Sequence, residues 1–183
     1  MSFEEAKVVD TRQQQSSPIL YVVTGAPAAG KTTYGRQLAA RHSAAFLDID
    51  TSSEILVQAA LRAMNLDPDD RDSPFFKKTF RMPIYDCLFA MASENLPHTS
   101  VVITGPFTSE KSNPSWHTEL ASRFKVPIEI HYIHCTEMRL KQNMTRRANG
   151  RDACKLLHWD DYIQGYNMEP PLYFHHLIQL SYT

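Results

Sequence analysis

Residues 25–32 read Gly-Ala-Pro-Ala-Ala-Gly-Lys-Thr, a match to G-x-x-x-x-G-K-[ST], and this pattern constrains the whole chain. Small residues let backbone N–H groups turn inward around phosphate oxygens, and the following helix aims its positive end at the anion. Such a loop works only between a strand and a helix. Both neighbours are readable. Ile19-Leu20-Tyr21-Val22-Val23 is an apolar, β-branched run of the kind buried on both faces of a parallel sheet. After the loop, Lys31–His42 places Tyr34, Leu38 and Ala39 at helical spacing without a proline. The spacing predicts phosphate contacts from Gly25, Ala26, Pro27, Ala28, Ala29, Gly30, Lys31, Thr32 and Thr33. Lys31 is expected to reach the β- and γ-phosphates, and Thr32 to ligate Mg²⁺.

Further strands are expected at 45–50, 101–104, 127–134 and 173–180, with helices between them. Thr51 or Ser52 is expected to cap the second helix, with Glu54 in its first turn. A helical pattern over 75–95 contains Pro83, which should kink or divide it. Shorter helices are expected at 116–124, 136–147 and 160–166. Alternating strands and helices argue an α/β parallel sheet with right-handed crossovers.

Which kind of phosphate-loop protein this is depends on what surrounds the loop. A GTPase switch needs D-x-x-G and N-K-x-D segments, and neither occurs; Asn149-Gly150-Arg151-Asp152 has Gly in place of Lys. The second strand, Phe46-Leu47-Asp48-Ile49-Asp50, ends in acid. Carboxyl ends of parallel strands form the ligand edge of such sheets. A carboxylate there can take the proton of an attacking hydroxyl or hold Mg²⁺ through water. Asp48 and Asp50 share strand parity, and Asp50, lying farther out, is the expected base and metal-linked acid. A basic turn, Arg146 to Arg151, offers lid arginines for the charge that develops in phosphoryl transfer; Arg147 and Arg151 are the first choices, Arg146 the next.

These segments resemble the small kinases with a phosphate-binding loop, in particular the AAA-type ATP-binding kinase group typified by GAPAAGKTT, FLDID, VVITGPFTSE, HYIHCTEMRL and the Arg-rich MRLKQNMTRRANGRDACKL. That group is related to gluconate kinases, chloramphenicol phosphotransferases, zeta toxins and polynucleotide 5′-kinases. The resemblance spans most of residues 19–160. It implies a three-layer, adenylate-kinase-like P-loop NTPase fold with a five-stranded parallel sheet in the order 2-3-1-4-5. It also implies ATP with Mg²⁺ and transfer of the γ-phosphoryl group to a hydroxyl. The base carries over onto Asp50, and the lid arginines onto Arg147 and Arg151. Two departures stand out. The third strand ends in Thr104-Gly105-Pro106, where many relatives place an acid, so metal support falls to Thr32 and Asp50 with water. The chain also ends at Thr183, close to its last strand, where many relatives continue into a helix whose preceding loop helps hold adenine.

Composition narrows the partners. With 183 residues and 43% hydrophobic content, one domain is expected over 18–183, preceded by a polar leader at 1–17 and carrying a lid near 146–152. The leader lacks the apolar segment of a signal peptide, and no apolar run approaches membrane-spanning length, which points to the cytoplasm. A formal net charge of −1 gives no global pull toward nucleic acid. A small-molecule acceptor is therefore preferred over a nucleic-acid end; a non-catalytic nucleotide-binding module is the remaining alternative. Cys87, Cys135 and Cys154 form no C-x-x-C pair. Arg71, Asp72, Phe75, Phe76, Arg81, Tyr85 and Phe107 are candidates for the acceptor pocket. His131 and His134 read as strand residues. The pair His175-His176 lacks a third metal ligand nearby in sequence.

Overall fold

The computed structural model describes residues 17–180. The expected leader at 1–17 lies, apart from Ser17, outside the described residues. Five strands form one parallel sheet: β1 (Leu20–Gly25), β2 (Ala45–Asp48), β3 (Val101–Thr104), β4 (Ile128–His134) and β5 (His176–Gln179). Their order is β2-β3-β1-β4-β5, as the resemblance implies, and every pairing is parallel.

The alternation of side chains along β1 builds both sides of the core. Leu20 and Val22 point to one face, where they meet Leu88, Phe89, Ile103, Trp116 and Leu120. Tyr21 and Val23 point to the other, against Leu38, Val102, Ile133, Leu140 and Met144. A central strand flanked on both sides has no polar face to offer, which is why this run is uniformly apolar.

Helices α1 (Lys31–His42), α2 (Ile49–Ala63), α3 (Pro74–Thr79), α4 (Arg81–Asn95), α5 (Trp116–Phe124), α6 (Glu137–Arg147), α7 (Ala153–Leu157) and α8 (Trp159–Gly165) complete the layers. The pattern at 75–95 is divided, as Pro83 requires: α3 stops at Thr79 and Pro83 falls in the first turn of α4. The single helix expected at 160–166 is preceded by a separate one, α7.

One boundary matters for the site. The second strand was expected to run to Asp50; it ends at Asp48, and Ile49 and Asp50 already belong to α2. Asp48, rather than Thr51 or Ser52, caps that helix, its side chain accepting from the Thr51 amide at 3.1 Å. An Asp at the end of a strand serves equally well as an N-cap, so the chain changes from a repeat of two to one of 3.6 at Ile49. Shared strand parity therefore does not relate Asp48 to Asp50.

Lys111 is buried behind the β3–α5 connection. Its ammonium donates to the carbonyl oxygens of Asn167 and Glu169 and so anchors the segment leading to β5.

Candidate functional site

Backbone geometry makes the loop. Gly25 has φ +146°, and a Cβ there would stand 2.6 Å from the Ile133 carbonyl oxygen on β4. Gly30 caps α1 at φ 101° and contributes no side-chain cap. No side chain caps α1 and its first turn holds no acidic residue, while Gly30 to Thr33 line the cleft, so the positive end of the helix opens onto it. Ala28 adopts φ 62°, and the Ala29 amide closes a turn onto the Ala26 carbonyl at 3.1 Å. Asn143, buried on α6, donates to the Ala28 carbonyl at 2.9 Å and braces the loop from outside. Nothing in the local sequence marks Asn143, because the contact spans 115 residues of chain.

Lys31 folds back over the loop and donates to the Ala26 carbonyl at 2.7 Å. Burial pushes its ammonium down to about pKa 8; Arg147 pushes the same way, while Asp50 and Asp48 oppose it.

Asp48 is the centre of the polar network. Its carboxylate accepts from the hydroxyls of Thr32 at 2.8 Å, Thr104 at 2.5 Å and Thr51 at 3.3 Å. Burial alone would raise its pKa; the hydrogen bonds from Thr104, Thr51 and Thr32 outweigh that and hold it below the ordinary carboxylate value. Thr104 thus occupies the strand end where an acid was looked for, and supports the acid of the neighbouring strand instead.

Asp50 lies in the first turn of α2 and is exposed. Arg151 reaches it from the turn after α6, at 3.1 and 3.3 Å, and also reaches Glu54 at 3.1 Å. Glu54 is shared with Arg71 at 3.0 Å. Arg147 is held differently, in a two-pronged pair with Asp152, a carboxylate only 1% exposed. The two arginines expected to act together are therefore positioned by different acids. Arg146 lines the same cleft.

That cleft, about 980 Å³, brings together the loop residues Gly30 to Thr33, both acids and Arg146, Arg147 and Arg151. Eight basic side chains line it against six acidic ones, so a polyanion meets a local excess of cations in a nearly neutral chain. Arg71, Asp72, Phe76, Arg81 and Tyr85 lie on its wall as expected. Phe107 does not: it is fully buried, stacked under Tyr85 and against Trp116. Phe75 is exposed and lies off the cleft. Arg81 is engaged with both carboxylate oxygens of Glu110, at 2.9 and 2.7 Å. Lys155 bridges to Asp72 at 2.6 Å.

The family model described as AAA domain matches residues 20–170. The chain belongs to the AAA domain family. Within it, this chain carries the phosphate loop at the end of the central strand of a sheet ordered β2-β3-β1-β4-β5. Solved structures share the fold at low identity. A protein of Chloroflexus aurantiacus aligns with TM-score 0.64 and 17% identity over 90% of this chain and 88% of that one. A sugar kinase from Janibacter sp. HTCC2649 aligns with TM-score 0.55 and 16% identity over 89% and 84%. A gluconokinase from Sinorhizobium meliloti aligns with TM-score 0.53 and 16% identity over 92% and 86%. No curated protein matches the chain. Among the described residues, no helix is long and apolar enough to cross a membrane.

Proposed function

We propose that the protein is a cytoplasmic, ATP-dependent kinase that transfers the γ-phosphoryl group to a hydroxyl of a small molecule. One observation carries this reading: the uncapped N-terminus of α1, Lys31, two carboxylates and three arginines open onto a single cleft. The sugar kinase and gluconokinase that share the fold support it. Residues 18–183 then act as one domain, with 146–152 as its lid.

In this reading the backbone N–H groups from Gly25 to Thr33 and the Lys31 ammonium hold the phosphates. Asp50 accepts the proton of the acceptor hydroxyl as its oxygen bonds to the γ-phosphorus and the bond to the β–γ bridging oxygen breaks. Arg147 and Arg151 offset charge on the transferring group. Thr32 and an ionised Asp48 beside it are hard oxygen donors that fit Mg²⁺, with Asp50 within reach of the same cleft. Mg²⁺, when bound there, neutralises charge on the phosphate oxygens. Arg151 leaves Asp50 free to serve as base only by releasing it, so lid movement and base availability are linked.

The test is an acceptor screen: full chain, ATP and Mg²⁺, a panel of sugars, polyols, aromatic alcohols and a 5′-hydroxyl oligonucleotide, with products read by mass. Phosphorylated small molecule from wild type, reduced ~10²-fold or more in Asp50→Asn and Lys31→Ala, is expected. Turnover that persists undiminished in Asp50→Asn would refute the assigned base. Product from the oligonucleotide alone would move the acceptor to nucleic acid.

A further inference from the structure

Away from the cleft, strand pairing assembles three side chains that sequence spacing keeps apart. His131 on β4 pairs in register with His176 on β5. Glu129 lies two residues before His131 and so on the same face of the sheet. Their ligand atoms all fall within 4.8 Å of one another. The Glu129 carboxylate oxygen stands 3.6 Å from His131 Nε2 and 3.9 Å from His176 Nε2. Ligands of a tetrahedral zinc ion, bound at about 2.0–2.1 Å, stand roughly 3.3–3.5 Å from each other. The two distances from Glu129 need only a few tenths of an ångström of contraction, and the two imidazoles, within 4.8 Å of each other, close the set by approaching by up to roughly 1.4 Å.

His131 carries the independent evidence. It is 7% exposed, and among the described residues its Nε2 has no hydrogen-bond partner. A buried ring nitrogen left without a partner is costly in a folded protein. Its other nitrogen, Nδ1, meets the Tyr34 hydroxyl at 2.8 Å. If Nδ1 donates to that oxygen, the Nε2 lone pair is directed toward Glu129 and His176, the arrangement in which an outer partner orients a metal-binding imidazole.

We propose that Glu129, His131 and His176 form a binding site for a divalent transition ion of the zinc type, with water as fourth ligand on the open side. Two imidazoles and one carboxylate suit zinc better than Mg²⁺ or Ca²⁺. Three protein ligands rather than four make the ion exchangeable. Its structural effect is to pin β5, a four-residue strand at the edge of the sheet, to β4. His175, the neighbouring histidine, is not among the side chains whose ligand atoms converge there, and its ring packs edge-on against Tyr132.

Metal-free, untagged full chain is titrated with Zn²⁺ alone by calorimetry, and with Co²⁺ alone by visible absorption. The wild type is expected to bind one equivalent, with the intense visible bands of four-coordinate Co²⁺. His176→Ala, at an exposed position, and Glu129→Gln should each weaken binding more than tenfold while leaving the circular dichroism unchanged. Tyr34→Phe, which removes only the orienting hydroxyl, should weaken it roughly tenfold. Zn²⁺ should slow amide exchange at Leu177 and Ile178 in wild type and not in His176→Ala. Absence of binding, or binding of equal affinity in His176→Ala, overturns the proposal. Neither outcome bears on phosphoryl transfer in the cleft.

Discussion

Thr104 at the end of β3 donates its hydroxyl to Asp48 at the end of β2, 2.5 Å away and directly opposite it in the strand register. The pair is almost sealed from water, at 1% and 6% exposure. A hydrogen bond to a buried charge is worth about 1.5–3 kcal/mol. Thr104→Val keeps the shape and removes the donor. Urea unfolding should show a loss within that range at neutral pH, with an unchanged denaturant slope.

The same network sets an acid limit on stability. Asp48 titrates below the carboxylate value of 3.8 in the folded chain. Its contribution is therefore complete above that value and is lost as pH falls through the lower, folded one. Asp48→Asn, which cannot ionise, should be less stable than wild type at pH 7. The gap between the two should narrow below pH 3.8. A gap that stays constant in denaturation curves collected down to pH 2 would contradict the network's role.

Lys31 predicts a proton signature for nucleotide binding. With its pKa lowered to about 8, a substantial fraction is neutral at pH 8, and a bound polyphosphate favours the charged form. ATP binding at pH 8 should take up protons, visible as a calorimetric enthalpy that changes with the ionisation enthalpy of the buffer. At pH 6.5 the uptake should vanish. Lys31→Met should abolish the buffer dependence at pH 8.

The Arg147–Asp152 pair is unequal in burial, and its two halves should not cost the same to remove. Arg147 keeps 37% of its side chain exposed, whereas Asp152 keeps 2%. Arg147→Ala leaves a buried carboxylate without its partner, a loss that approaches the roughly 3–5 kcal/mol seen for broken buried pairs. Asp152→Asn leaves a guanidinium that can turn to water, and should cost clearly less. Equal midpoints for the two variants in guanidinium unfolding would show that burial does not govern the pair.

Gly35 offers a test of packing against propensity. Ala is favoured over Gly inside a helix by about 0.5–1 kcal/mol. Yet a Cβ at Gly35 would lie 2.5 Å from the Thr104 methyl and 2.9 Å from the Phe46 ring. Overpacking of this kind costs about 1–3 kcal/mol, so Gly35→Ala should lower the thermal midpoint despite the better helix former. Because Thr104 must shift, Asp48 should also become easier to protonate.

What the sequence could reveal followed the range of the interactions involved. The phosphate loop and the alternating elements are set by neighbours a few residues apart, so β1, α1 and α5 were readable. The sheet order followed from the family resemblance. Asp48 was underrated because its partners, Thr32 and Thr104, are 16 and 56 residues away. Its capping role also ended the strand two residues early. The division of the basic turn between Asp152 and Asp50 depends on how Ala148, at φ 46°, redirects the chain after α6. Phe107 looked like a pocket aromatic because the helical and loop pattern does not say which rings stack inward. Asn143 and the Glu129–His131–His176 cluster depend on long-range packing and on the β4–β5 register, which no local spacing encodes.

β1 lies between β3 and β4, and the phosphate loop hangs from its end with Gly25 closed against Ile133. Displacing that loop would mean parting a strand from both neighbours at once, which is unfolding itself. Residues 146–157, joined by short helices and exposed ion pairs, face no such requirement. For a lid at 146–152 as proposed, the cleft would then be a boundary between two regimes of motion: one wall fixed in the sheet, and one free to shift by exchanging ion pairs while the sheet stays intact.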